Sequence, residues 1–479
     1  MLEGLEISVL MKSEVETRSE DFRMESDFFK KEYVKLISKL KSKNFNYLKY
    51  YLQNTVQTGH TPSMANHSFY GTEIKFIKTD NVRDNYIKPF FNDYLSAKGN
   101  EEVKRTELKE NDILTTIIGA THDIIARSCL ITKEILPANI NQNIALIRVD
   151  DKKINPHFLN IYLNTYYGKK YLHYLSRQMG QVNLNCREVE KLIVPTFSFE
   201  FQKLIESSII KAYSKQTFSQ QTYYQAEYIL LQEIGLQNFE LSKEPVNIKS
   251  FKESFAITKR LDAEYYQKKY EQIIDKIVTQ KHDSLINLVD VSKSIEPGSQ
   301  HYSDEEGLPF YRVADYNKFG LSHPNKVLTN SFITDNKEQI EKLKPKKGTI
   351  LFSKDGSVGT AYLLREDLDG ITSSAILHLQ VKNTNEILPE YLTLALNSKL
   401  VQMQAERDAG GSIILHWRKE EIEQVVVPII DFKKQEQIAE LVEESFKLKV
   451  ESERLLEIAK KAVEMAIEKS EVDALKFIK

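Results

Sequence analysis

From Ile438 onward the chain sets apolar or small residues at alternating steps of three and four: Ile438, Leu441, Ser445, Leu448, Ser452, Leu455, Ala459, Ala462 and Ala466. This heptad seam predicts one long helix packed against a partner along a single stripe. The stretch after Pro195 repeats the small residues of the seam, with Ala212, Ser219 and Ala226 lying 233 positions before Ser445, Ser452 and Ala459. Small side chains let two backbones approach closely, so the two helices are expected to pair antiparallel, as a coiled coil with pseudo-two-fold symmetry. Thr217 to Gln225 is rich in Gln, Ser, Thr and Tyr, types of modest helix propensity, so that helix should depend on its partner. The competing reading is two ordinary amphipathic helices, each packed on its own domain, and the shared spacing of small residues argues against it.

Ahead of each helix the pattern is that of short buried strands closed by glycine turns. One such run is Asp112-Ile113-Leu114-Thr115-Thr116-Ile117-Ile118-Gly119, and another is Gly348-Thr349-Ile350-Leu351-Phe352-Ser353-Lys354-Asp355-Gly356-Ser357-Val358-Gly359. A further glycine turn follows in each half, at Gln178-Met179-Gly180-Gln181 and at Ala409-Gly410-Gly411-Ser412. The chain is in fact written twice. Arg23-Met24-Glu25-Ser26-Asp27-Phe28-Phe29 returns 237 positions later as Arg260-Leu261-Asp262-Ala263-Glu264-Tyr265-Tyr266. Lys75 to Lys78 matches Pro309 to Arg312, with Asp80 or Asp315 just beyond. Ile154-Asn155-Pro156 and Ile387-Leu388-Pro389 open matching helices that run to Asn164 and Asn397, while Val194-Pro195 and Val427-Pro428 each precede a glutamine, Gln202 or Gln435. Between these anchors the halves differ, as a shared scaffold carrying two unlike surfaces would, although an old duplication that has simply drifted gives the same pattern.

The repeat predicts an α+β chain of two α/β modules, residues 1–198 and 244–430, separated by helical regions at 199–243 and 431–479. With 479 residues, 41% of them hydrophobic and 28% charged, there is ample material for several packed domains. No apolar run reaches the ~20 residues of a membrane span, and the first residues are acidic where a secretory leader is basic. Two cysteines, Cys129 and Cys186, are too few for a disulfide framework or a zinc site. A reducing, cytoplasmic setting is expected. The net charge of −2 places any nucleic-acid contact on local basic surfaces rather than on the molecule as a whole.

The order of these anchors, in two copies over nearly the whole chain, resembles the specificity subunits of type I restriction-modification enzymes. Gly59-His60-Thr61-Pro62 is similar to the family's early G-x-T-P element, of which Pro297-Gly298-Ser299 keeps the glycine. Asp112-Ile113-Leu114 and Gly356-Ser357-Val358-Gly359 resemble parts of its G-D-I-L-x-S-R-x-G-T-x-G run, and the first half departs from it at His122-Asp123. Gln435-Glu436 stands where the family junction reads E-Q. The resemblance implies two target recognition domains, each reading one half of a split double-stranded DNA target, on helices that bridge two methyltransferase subunits. It admits motor-nuclease subunits as further partners.

No catalytic apparatus is legible. The chain has no Pro-Pro pair for an adenine methyltransferase motif, no G-x-x-x-x-G-K-[ST] loop, and ten scattered histidines without metal-ligand spacing. The expectation is a non-enzyme with no cofactor and no metal. An assembly adaptor that binds no DNA is the competing function.

Base edges are read by Arg, Lys, Asn, Gln, Ser and Thr on loops that face a groove. The candidates beside the glycine turns are Lys78, Thr115, Thr116, His122, Arg177, Gln178, Gln181, Asn183 and Asn185 in the first module. In the second they are Arg312, Ser353, Lys354, Ser357, Arg407, Ser412, His416 and Arg418. The sole tryptophan, Trp417, is expected to pack.

Overall fold

A computed structural model describes residues 9, 11–18, 23, 25–88, 90–179, 181–303, 306–411 and 413–478. The chain divides into two compact units, residues 1–214 with 451–479, and residues 215–450. Each unit joins one half of the repeat to segments of both long helices, Phe199–Glu233 and Phe432–Glu468.

In the first unit a four-stranded antiparallel sheet runs in the order Gln57–Thr58, Ile144–Ile147, Ile113–Thr116, Ser128–Leu130. Its second sheet contains a parallel pair, with Lys75, Phe76 and Ile77 opposite Ala138, Asn139 and Ile140. The helices Pro156–Asn164 and Tyr166–Leu175 contribute Phe158, Leu159, Ile161 and Leu172 to the core. The second unit repeats this plan. Its four-stranded sheet has the order Val289–Lys293, Ile376–Val381, Ile350–Ser353, Ala361–Leu363, and its parallel pair sets Phe310 and Tyr311 against Ile371 and Thr372. Helices Pro389–Asn397 and Lys399–Asp408 supply Tyr391, Leu392, Leu396 and Leu400. Each helix pair starts with proline at its first turn, where a missing N–H costs nothing.

The equivalence of the halves reaches individual hydrogen bonds. Arg23 donates to the carbonyls of Leu175 and Ser176, at 3.0 and 2.8 Å, with its guanidinium 4.4 Å over the Phe28 ring. Arg260 donates to the Asp408 carbonyl at 3.1 Å and lies 4.5 Å over Tyr265. Each arginine thus satisfies carbonyls left over at a helix C-terminus, where a cation also complements the helix dipole. Met24, and the side chains of Ser26 and Asp27, lie outside the described residues. Buried Gln202 accepts from the Asn155 N–H at 2.9 Å and donates to the Phe197 carbonyl at 3.0 Å. Gln435 accepts from the Leu388 N–H and donates to the Ile430 carbonyl, both at 3.0 Å. In the matched strands, the Lys78 N–H donates to the Asn81 side chain at 2.9 Å and the Arg312 N–H to Asp315 at 2.8 Å. The partner of Asp315 is therefore Asn81, one residue beyond the Asp80 suggested by the sequence spacing.

The long helices pair through the small residues. In the first unit the Ser452 hydroxyl donates to the Ala212 carbonyl at 2.7 Å. In the second, the hydroxyls of Ser219 and Ser445 donate to each other's carbonyls at 2.8 and 2.7 Å. Within the first unit Ser198 meets Glu471 and Ala212 meets Ser452, and within the second Ser219 meets Ser445 and Glu233 meets Lys434, so in each unit the two segments run antiparallel. Ala212, Ala226 and Ala459 are fully buried. The first long helix stops at Glu233 because Gly235 takes a positive φ of 68°, the left-handed geometry with which helices commonly end.

Candidate nucleic-acid interface

In each unit the two glycine turns come together. In the first, strand Gln181–Asn183 pairs with Arg177–Met179 on one side and with Ile118–Gly119 on the other, and the Leu184 N–H donates to the Ile117 carbonyl at 2.8 Å. In the second, the Gly356 N–H donates to the Leu415 carbonyl at 2.8 Å and the Trp417 N–H to the Lys354 carbonyl at 2.7 Å. Gly356 has φ 71°, open to glycine without strain, and this turns the loop back toward Leu415. Trp417 is buried, with its ring 5.8 Å from that of Phe352, and its role is packing.

Three candidates leave the surface. Thr115 and Thr116 are fully buried; the Thr115 hydroxyl shares a 2.9 Å bond with Ser128, and Thr116 accepts from the Arg127 N–H at 3.1 Å. Ser353 is equally buried, donating to the Ser357 carbonyl and accepting from the Thr360 N–H at 2.9 Å. These hydroxyls lock the strand-to-turn junction and face no groove. The sequence expectation fails for them because a polar side chain at a strand end satisfies buried backbone as readily as it meets solvent.

Most of the cations keep a carboxylate partner. Lys78 lies 2.8 Å from Asp93, Arg177 2.9 Å from Glu188, and Arg312 3.6 Å from Asp315. Arg407 forms a two-point contact with Asp408 at 2.6 and 3.0 Å, and Arg418 meets Glu421. Lys354 and His416 converge on Asp355, at 2.5 and 2.9 Å. Asp355 was missed in the sequence because readers of base edges were sought among donors. It is the group that brings the two donors together. Asn185 is exposed but caps the helix Cys186–Glu190 by accepting from the Glu188 N–H at 3.0 Å. Gln181, Asn183, His122 and Ser357 are exposed. Gln181 and Asn183 flank buried Val182, so both project from the outer face of their strand. The Gln178 side chain, Gly180 and all of Ser412 lie outside the described residues.

Among the described residues no helix is long and apolar enough to cross a membrane, and no group of three His, Cys, Asp or Glu side chains is placed to hold a metal ion.

Comparison with known proteins adds a family. Residues 284–460 match the family described as type I restriction modification DNA specificity domain. A segment of 129 residues is 29% identical to the type I restriction enzyme EcoBI specificity subunit of Escherichia coli. That segment covers 27% of this chain and about a quarter, 26%, of the relative's length. Among solved structures, the type I S subunit from M. genitalium aligns over 91% of this chain and 96% of its own, at 12% identity and a TM-score of 0.38. The HsdS subunit from Thermoanaerobacter tengcongensis aligns over 89% and 97%, at 13% identity and a TM-score of 0.29. The matched domain begins on strand His282–Ser284 and runs through the sheet, glycine turns and helix pair of the second unit into the second long helix. Residues 284–460 thus carry a type I restriction modification DNA specificity domain, and the first half of the chain repeats its framework.

Proposed function

We propose that this chain is the sequence-specific DNA-binding subunit of a type I restriction-modification complex, reading a bipartite, asymmetric target. The observation that carries the reading is the specificity-domain match over residues 284–460, set on a framework whose strand order and several hydrogen bonds the first half repeats while its loops differ. Two such frameworks with unlike loops suit two unlike half-sites. Residues 1–198 and 244–430 are the two readers in this account, and residues 199–243 and 431–479 are the helical regions that carry two methyltransferase subunits. Motor-nuclease subunits complete the complex where it restricts. The chain itself performs no catalysis; the assembled complex methylates adenine at N6, and the setting is the bacterial cytoplasm, in defence against phage.

Within each reader the side chains proposed for base edges are those that reach the surface by the paired glycine turns. In the first they are Gln181, Asn183 and His122, with Lys78 and Arg177 able to exchange a carboxylate for a phosphate or a base. In the second they are Lys354, Ser357 and His416, with Arg312, Arg407 and Arg418 in the same exchanging role. The Asp355 cluster is the sharpest local candidate, since Asp355 orients both Lys354 and His416. Such preordering reduces the entropy lost on binding.

A mobility shift of the chain with its methyltransferase partner on random-sequence duplex DNA tests the reading. Retardation that weakens steeply with added salt is the expected result. Absence of any salt-sensitive binding would instead favour an adaptor that holds proteins alone.

A further inference from the structure

The first unit carries a cation cluster that the candidates beside the glycine turns leave out. Strands Val82–Arg83 and Tyr86–Ile87 form a hairpin that turns through Asp84 and Asn85. Asn85 is fixed at the tip. Its N–H donates to the Ser128 carbonyl at 2.8 Å, its carbonyl accepts from the Tyr213 hydroxyl at 2.8 Å, and its side-chain oxygen accepts from the Asn160 and Asn164 amides at 3.2 and 3.0 Å. Arg83 and Lys88 flank this rigid turn, and Arg127 immediately precedes Ser128. Burial, and then the neighbouring cations, hold the Arg83 and Lys88 side chains below their ordinary pKa values, with Arg127 acting on both. Arg127 Nε donates to the Asp123 carbonyl at 2.8 Å, and Arg83 Nη1 to the Val82 carbonyl at 2.7 Å. None of the three forms an ion pair with a carboxylate among the described residues. Asp84 pairs with Lys169; Asp80 acts on Arg83 and Lys88, and Asp84 on Arg83, without an ion pair to either.

The fold does not require this charge, because the second unit builds the same junction without it. There the hairpin pairs Asn317 with Gly320 where the first pairs Arg83 with Tyr86. The Ser322 N–H donates to the Asp315 carbonyl at 2.8 Å where the Lys88 N–H donates to the Asn81 carbonyl at 2.8 Å. Thr360 bonds to Ser353 through N–H and carbonyl as Arg127 does to Thr116. The one lysine on the second hairpin, Lys318, is neutralised by Glu227 at 3.0 Å. Three neighbouring cations that form no ion pair with a carboxylate among the described residues, on a backbone arrangement that the second unit builds with Asn, Ser and Thr, are placed for an external polyanion.

We propose that Arg83, Lys88 and Arg127 form a binding site for the phosphodiester backbone of duplex DNA, present in the first unit only. The proposal rests on the DNA-binding reading and adds to it a position, a ligand chemistry and an asymmetry between the units. Spread along a backbone, the three would contact phosphates without reading bases.

The test replaces the cluster with the residues of the second unit, in the triple variant Arg83→Asn, Lys88→Ser and Arg127→Thr. The chain, assembled with its methyltransferase partner, is titrated with target and random duplexes across a range of salt. Each lost phosphate contact flattens the plot of log affinity against log salt by about 0.9, so a loss of about 2 to 3 in slope is expected, equal for the two duplexes, with the methylated half-sites unchanged. An unchanged slope in a variant with the wild-type unfolding midpoint overturns the phosphate site and leaves the DNA reading intact. Wild-type assembly without salt-dependent binding overturns both. Should the triple variant not fold, Lys88→Ser, on an exposed side chain, serves alone: a slope loss of about 0.9 supports the site, and none overturns it.

Discussion

His378 stands on strand Ile376–Val381 with its Nε2 2.8 Å from the Thr372 hydroxyl, and burial holds its imidazole at a pKa of about 4. His173 in the first unit is held at about 4 as well, by burial first and the nearby His122 second. An unfolded histidine titrates near 6.5. Between pH 6.5 and about 4 the unfolded chain therefore binds a proton that the folded one refuses, so stability is lost as pH falls through that window. Replacing His378 by glutamine should remove up to about 1.4 kcal/mol per pH unit of that loss. Denaturant melts of both proteins at pH 7 and pH 5 measure it, and equal losses would show that His378 is not protected. At this scale the sequence was legible where a residue repeats. Arg23 with Arg260 and Gln202 with Gln435 were found by spacing and make matching bonds. Thr115, Thr116 and Ser353 were misread because a hydroxyl identifies neither its partner nor its side of a sheet. Asp355 and the Arg83 cluster depend on contacts between distant segments, which one sequence does not display.

At the scale of elements, both long helices and their seam were legible, since a heptad with a recurring small residue has few other uses. The seam's polar members are buried with their hydroxyls on the facing backbone, so each serine supplies closeness and a hydrogen bond worth about 1 kcal/mol. Ser445→Ala should accordingly cost about 1 kcal/mol, while Ser445→Leu, which forces the backbones apart, should cost roughly 1 to 3 kcal/mol or more. Thermal unfolding of the two variants reads the difference. A leucine variant as stable as wild type would mean that close approach is not what the small residue provides. The strands were less legible. The runs around Ile113 and Ile350 stood out as continuous apolar stretches, but the two-residue strands such as Val82–Arg83 and Tyr316–Asn317 are too short to leave a period.

At the scale of the whole molecule, the account rests on two readers with one scaffold. Net charge is no guide here, because the −2 total conceals the Arg83 cluster. Duplication set the anchors in order, and the specificity-domain match then fell on the second copy. The most direct measurement is sequencing of methylated sites in a host that expresses the chain with its methyltransferase, before and after residues 246–430 are replaced by the matching part of a relative. The account predicts a bipartite site in which one half-site changes and the other stays as it was. A change in both halves, or in neither, would contradict two independent readers.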